Sequence, residues 1–190
     1  MPARRLTALV AAAIALALPA RAFAYYTYFD FARRSNTGST LTMVWQQIPG
    51  HFSTVAWRAG SGSSTDPCWV GHGWLPTGWY DLNGHWDNYN GTIKGRVFYL
   101  QNKPCWNGTW RTELFVHSEE TAAQGQYCPS AGDDPYCWEA DYDYMSNGCI
   151  KISRAGSPSD LRLMHDGWHA KTGDYRHGSF WINDWLYVHD

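Results

Sequence analysis

Turn dipeptides break this chain into short pieces, and that punctuation limits its fold more than any other feature. Pro49-Gly50, Asn83-Gly84, Asn90-Gly91 and Asn107-Gly108 each favour reversal of the backbone, because Gly and Asn tolerate positive φ and Pro presets its own. Between them lie runs rich in Thr, Val, Trp, Tyr and Phe: Leu41–Trp45, Phe52–Trp57, Trp79–Leu82, Arg96–Leu100 and Thr112–His117. β-Branched and aromatic residues in runs of this length make strands, and the first two, joined at Pro49-Gly50, predict a hairpin. Several strands so spaced predict a mainly β domain, a sandwich or barrel. A helix is predicted late, with Ser157 as N-cap, Pro158 at its first position, Asp160 in its first turn and Leu161, Leu163 and Met164 as the buried face, ending before Gly167. The aromatic tail from Phe180 to Val188 reads as a closing strand.

With 190 residues, 44% of them hydrophobic and 17% charged, the chain suits one globular domain with one core. A net charge of −2 gives no basic face for nucleic acid. Arg4 and Arg5, the apolar run Leu6–Leu18, Pro19 and Ala22-Phe23-Ala24 form the three parts of a secretory signal over residues 1–24. That run falls short of the roughly 20 residues that span a bilayer, and no later run is longer, so no membrane span is predicted. The domain then occupies residues 25–190, and export places its cysteines where disulfides persist.

Five cysteines leave one unpaired. Cys128 and Cys137 flank a loop of Pro, Ser, Gly and Asp, and Cys68 and Cys105 each follow a proline. Two bridges among these four are expected, with three pairings open. Cys149 differs, standing in Ser146-Asn147-Gly148-Cys149-Ile150-Lys151. Gly148 permits a tight turn before the thiol, so that the amides of Asn147, Gly148 and Cys149 can face one concavity and hold an oxyanion. A cysteine nucleophile needs a base, and His117 ends an apolar run where a rigid strand can present it.

The order Leu75-Pro76-Thr77-Gly78-Trp79-Tyr80, then His117-Ser118, then Ser146-Asn147-Gly148-Cys149-Ile150-Lys151 resembles the catalytic domain of bacterial L,D-transpeptidases. The resemblance implies a β-sandwich with a short helix after the catalytic cysteine. It implies a secreted, wall-associated, monomeric cysteine acyltransferase acting on peptidoglycan stem peptides. Cys149 would be the nucleophile, His117 its base and Ser118 the residue orienting the imidazole through its carbonyl. Gly148 and Cys149 would supply oxyanion amides. Lys151, Ser146 and Arg111 would contact substrate. Asn147 stands where the family carries His, and the His117-to-Cys149 interval is long, carrying Cys128 and Cys137 in what reads as a stapled flap. Alternatives are hydrolysis by the same site, as a carboxypeptidase or endopeptidase, and a non-catalytic wall- or glycan-binding module.

Other groups carry less. His165 and His169 have a chelating spacing if one helix holds both, but Gly167 argues against a helix there. His72, His85 and His177 have loop-like neighbours, so no third ligand is evident and neither a metal nor an organic cofactor is expected. Trp69, Trp74, Trp79, Trp86, Trp106 and Trp110 read as core packing rather than as a glycan-stacking face.

Overall fold

In a computed structural model, which describes residues 26–129, 132, 134–174, 178–179 and 184–190, the chain forms one mainly β domain. The signal segment 1–24, His177 and the start of the aromatic tail at Phe180 lie outside the described residues. The strands are β1 (Thr27–Ala32), β2 (Ser39–Ile48), β3 (His51–Ser61), β4 (Gly78–Asn90), β5 (Lys94–Leu100), β6 (Lys103–Pro104), β7 (Trp110–Arg111), β8 (Phe115–His117), β9 (Ile150–Ile152), β10 (Gly178–Ser179) and β11 (Trp185–His189), with helix α1 (Asp160–Thr172) between β9 and β10. The predicted hairpin is β2–β3, turning at Pro49-Gly50, where Gly50 has φ +81°.

The sheet closes into an eight-stranded barrel, β4-β11-β1-β2-β3-β9-β8-β5 and back to β4, with β10 added at β4 and β6–β7 a separate ribbon. The expected sandwich is thus replaced by a ring, and β4 is the reason. Its first part, Gly78–Asp81, pairs with β11, while Leu82–Asn90 pairs with β5. Between Leu82 and Gly84 the register slips: Asn83-Gly84, predicted as a turn, is a β-bulge inside the strand. The extra residue bends and twists the strand, so one strand joins what would otherwise be two free edges.

Strand alternation sends Phe29, Phe31, Leu41, Met43, Trp57, Ala59, Tyr80, Leu82, Phe98, Leu100, Val116, Ile150, Ile152, Leu186 and Val188 into one core. Helix α1 adds Leu161, Met164 and Trp168. It begins two residues later than predicted because Ser159, not Ser157, caps it, accepting from the Arg162 amide at 3.2 Å. It also runs through Gly167, where a Cβ would stand 3.2 Å from Met43 Cε, so the missing side chain lets the helix approach β2. It ends at Gly173 in the left-handed region, φ 69°. Leu163, expected inside, is exposed; the buried stripe runs through Leu161, Met164, His165, Trp168 and His169 instead, which is helical spacing.

The tryptophans depart from expectation too. Trp69, Trp79, Trp106 and Trp110 are exposed, Trp106 by 84%, and Trp74 and Trp86 are half-buried. The barrel interior is filled by aliphatic and Phe side chains together with Trp57, Tyr80 and Trp168, and none of these six indoles is in it.

Two disulfides form, Cys68–Cys105 and Cys128–Cys137, leaving Cys149 reduced and buried. They suit an extracellular protein. Among the described residues no helix is long and apolar enough to cross a membrane.

The segment between β8 and β9 is anchored by a buried charge group. Glu120 Oε1 pairs with Arg96 Nη1 and Arg154 Nε, each at 2.8 Å, and Oε2 accepts from the Arg96 amide at 2.9 Å. Burial pushes the Glu120 carboxyl up, and the two arginines hold it down. Removing one member leaves buried charge uncompensated. Glu120→Ala should therefore lower the unfolding free energy by about 3–5 kcal/mol in urea titration; a loss under about 1 kcal/mol would show that the segment is held elsewhere.

Candidate active site

β8 and β9 run parallel with Val116 opposite Ile150 and His117 opposite Lys151. Val116, Ile150 and Ile152 point into the barrel, so His117, Lys151 and, one step of the alternation earlier, Phe115 and Cys149 lie on its outer side. Val97, Phe115 and Cys149 form a second apolar cluster there, covered by Trp86, Tyr89, Ile93 and Tyr99. The His117 ring donates from Nδ1 to the Ser118 carbonyl at 3.0 Å. That bond holds the tautomer whose Nε2 carries the lone pair.

Ser146 ties the turn before the thiol. Its Oγ accepts from the Gly62 amide at 2.9 Å and the Gly148 amide at 3.1 Å, and donates to the Cys149 carbonyl at 2.6 Å. Gly148 is required twice. Its φ is +112°, and a Cβ there would meet Arg111 Nη2 at 1.9 Å and the Gly73 carbonyl at 2.9 Å. The Arg111 guanidinium lies buried behind the turn, donating to the carbonyls of Pro67, Trp74, Gly73 and Asn147. Expected as a substrate contact, it is instead a brace. Ser146 likewise serves the turn, and the Gly148 amide, expected to face an oxyanion, is engaged by Ser146.

Burial dominates the electrostatics. It pushes the Cys149 thiol up to about 11, against the opposing pull of the Phe115 amide, Arg111 and Lys151. It pushes His117 down to about 3, helped by the Lys151 ammonium and opposed by the Ser118 carbonyl. The pair rests neutral. The thiol donates to the Glu113 carbonyl at 3.7 Å, presented by a residue at φ 54°, a left-handed conformation that costs a non-glycine residue about 1 kcal/mol. Lys151 is ion-paired with Glu119.

Two cavities share Asn147 and Cys149 in their linings. One, of about 500 Å³, is lined by His117, Ser118, Ser146, Asn147, Cys149 and Lys151, with Lys94 and Ile93 on one side and Tyr136, Tyr142 and Met145 of the β8–β9 segment on the other. The second, of about 440 Å³, is lined by Trp86, Tyr89, Tyr99, Glu113, Phe115, Asn147 and Cys149. Lys94 Nζ lies 4.8 Å from the centre of the Tyr136 ring, joining the hairpin tip to the segment held by the Cys128–Cys137 bridge. Of the residues singled out in the sequence, Cys149, His117, Ser118, Asn147, Ser146 and Lys151 line one cavity. Sequence reasoning missed Glu113 and Glu119, which act through a carbonyl and through a partner and carry no motif of their own.

Three histidines gather elsewhere. His165 and His169 do share α1, and His85 comes from β4 rather than a loop; one ligand nitrogen from each lies within 4.8 Å of the others.

A thiol raised by burial reacts through a minor thiolate fraction that grows about tenfold per pH unit below the pKa. Alkylation of Cys149 by iodoacetamide should accordingly steepen from pH 7 to 10 without levelling near the ordinary value of about 8.5; a plateau below pH 9 would overturn the neutral-thiol assignment. Compared with protein-family profiles, curated proteins and solved structures, the chain matches none.

Proposed function

We propose that the protein is a secreted cysteine acyltransferase of L,D-transpeptidase type, acting on peptidoglycan stem peptides. The observation that carries this reading is that a reduced Cys149 and His117 of the neighbouring strand line one cavity, with the imidazole held by the Ser118 carbonyl. Cys149 Sγ attacks a stem amide carbonyl while its proton passes to His117 Nε2. Because both groups rest neutral, proton transfer accompanies C–S bond formation rather than preceding it. The intermediate collapses as His117 returns the proton to the leaving amine, giving a thioester. An amine of a second stem then attacks the thioester and regenerates the thiol; water in its place gives hydrolysis. The Cys149 amide and the Asn147 carboxamide, which lines both cavities, hold the oxyanion. Two cavities that share Asn147 and Cys149 in their linings suit a donor and an acceptor strand of peptide.

A second reading, a wall- or glycan-binding module, is favoured by the exposed indoles of Trp69, Trp106 and Trp110 around the Cys68–Cys105 bridge, since flat aromatic faces stack on sugar rings.

Intact-mass analysis after exposure to a carbapenem separates the two. A single acyl adduct on the wild type, absent from Cys149→Ala and formed about 100-fold more slowly by Asn147→Ala, is the expected result. Iodoacetamide labelling without carbapenem acylation, together with retention of Cys149→Ala on purified wall sacculi, would overturn catalysis in favour of binding.

A further inference from the structure

The histidine cluster lies on the other side of the β4–β5 wall from Cys149. Phe98 of β5 points inward and touches the rings of His85 and His165, with centroids 6.0 and 5.1 Å apart, while its neighbour Val97 points outward into the thiol's cluster. His85 reaches the inner side because of the bulge after Leu82: without the extra residue, alternation from Tyr80 and Leu82 would turn it outward. His85 and His165 are fully buried and His169 nearly so, and the three ring centroids lie 4.6, 4.9 and 5.8 Å apart.

A barrel that needed only apolar filler at these positions would take Leu or Phe, since three buried imidazoles carry a desolvation cost that specific polar bonds must offset. The surroundings of the two helical histidines are those of ligands. His169 Nδ1 is hydrogen-bonded to the Asp174 carbonyl, so its N–H is on that atom and Nε2 carries the lone pair. Asp87 Oδ1 stands 3.1 Å from His165 Nδ1 and 3.6 Å from His169 Nε2. Asp87 thus stands behind the His165 ring and the Asp174 carbonyl behind the His169 ring, while Asp87 lies on the ligating side of His169; a carboxylate or carbonyl behind the ring fixes the tautomer and raises the basicity of the ligating nitrogen, as in metal-bound imidazole.

We infer that His85, His165 and His169 bind a divalent transition metal of the zinc class, oriented by Asp87 and by the Asp174 carbonyl. Three neutral nitrogens with a nearby carboxylate suit zinc rather than calcium or magnesium. Tetrahedral bonds of about 2.0–2.1 Å hold ligand nitrogens roughly 3.4 Å apart, so the ion draws the rings together from the 4.8 Å span. Bound there, it pins α1 to β4, which carry the three histidines between them.

The test uses the tag-free chain, stripped with EDTA and desalted, then titrated with zinc chloride by calorimetry, with bound zinc counted by mass spectrometry and the unfolding midpoint recorded. The inference requires saturation at one zinc per chain and a higher midpoint when loaded. His169→Gln should weaken binding more than 100-fold. Asp87→Asn, a partly exposed position that spares the core, should weaken it about 10- to 100-fold. Cys149→Ser should bind zinc as the wild type does. Failure of the wild type to saturate, undiminished binding in both Asp87→Asn and a folded His169→Gln, or loss of zinc in Cys149→Ser would each overturn it. None of these outcomes depends on acyl transfer, so the carbapenem result and the zinc result fail separately.

Discussion

Closure of the sheet through β4 is the constraint on which the rest depends. A strand of 13 residues is longer than one flat partner needs, and the bulge at Asn83 lets it serve two, β11 and β5. The same slip reverses which side chains face inward. His85 turns to the core beneath α1 and Trp86 turns outside, and a second register shift between Trp86 and Tyr89 returns Tyr89 to the outer side against Phe115 and the thiol's cluster. In a regular strand His85 would face outward and Trp86 inward, so the histidine group and the Trp86 part of the cover over Cys149 would both be lost.

The thiol site illustrates how a buried polar group is held without charge. Arg111 and Lys151 both favour the thiolate, yet burial outweighs them, because each cation is already engaged: Arg111 by backbone carbonyls and Lys151 by Glu119. A carbonyl neutralises only part of a guanidinium's field, and a carboxylate cancels most of an ammonium's. The thiol therefore keeps its proton on sulfur, and the same burial keeps His117 neutral, so the two do not form an ion pair.

How far the sequence foretold this varies with the physics involved. Turn dipeptides and β-branched runs announced β2, β3, β5 and the mainly β class, since these are local preferences. Asn83-Gly84 misled because bulge and turn use the same residue types, and only the pairing of Leu82 with Leu100 and Gly84 with Tyr99 distinguishes them. Strand β1 passed unnoticed: its alternating Phe29 and Phe31 are few, and its place is set by parallel pairing with β11, far along the chain. That Cys149 is the unpaired cysteine was legible from its neighbours, and His117 was legible as a strand-end side chain that comes to line the same cavity. Arg111 was misjudged because charge suggests a surface, and nothing local reveals a cage of four carbonyls.

The two histidines on α1 show the same lesson at its sharpest. Gly167 between them argues against a helix by propensity, costing about 1 kcal/mol relative to Ala. Packing overrides that preference, since a larger residue would crowd Met43 and lift the helix off the barrel. Seating α1 this closely is what brings His165 and His169 to His85, whose own orientation is set by the bulge in β4. A glycine in a helix and an extra residue in a strand, each a local flaw, together assemble a nitrogen-rich cluster from segments about 80 residues apart. On the other side of the same wall, the aromatic residues that follow His85 cover the thiol. One irregular strand thereby supports both sites, and loosening the helix side should be felt first by the rings and only through β4 by Cys149.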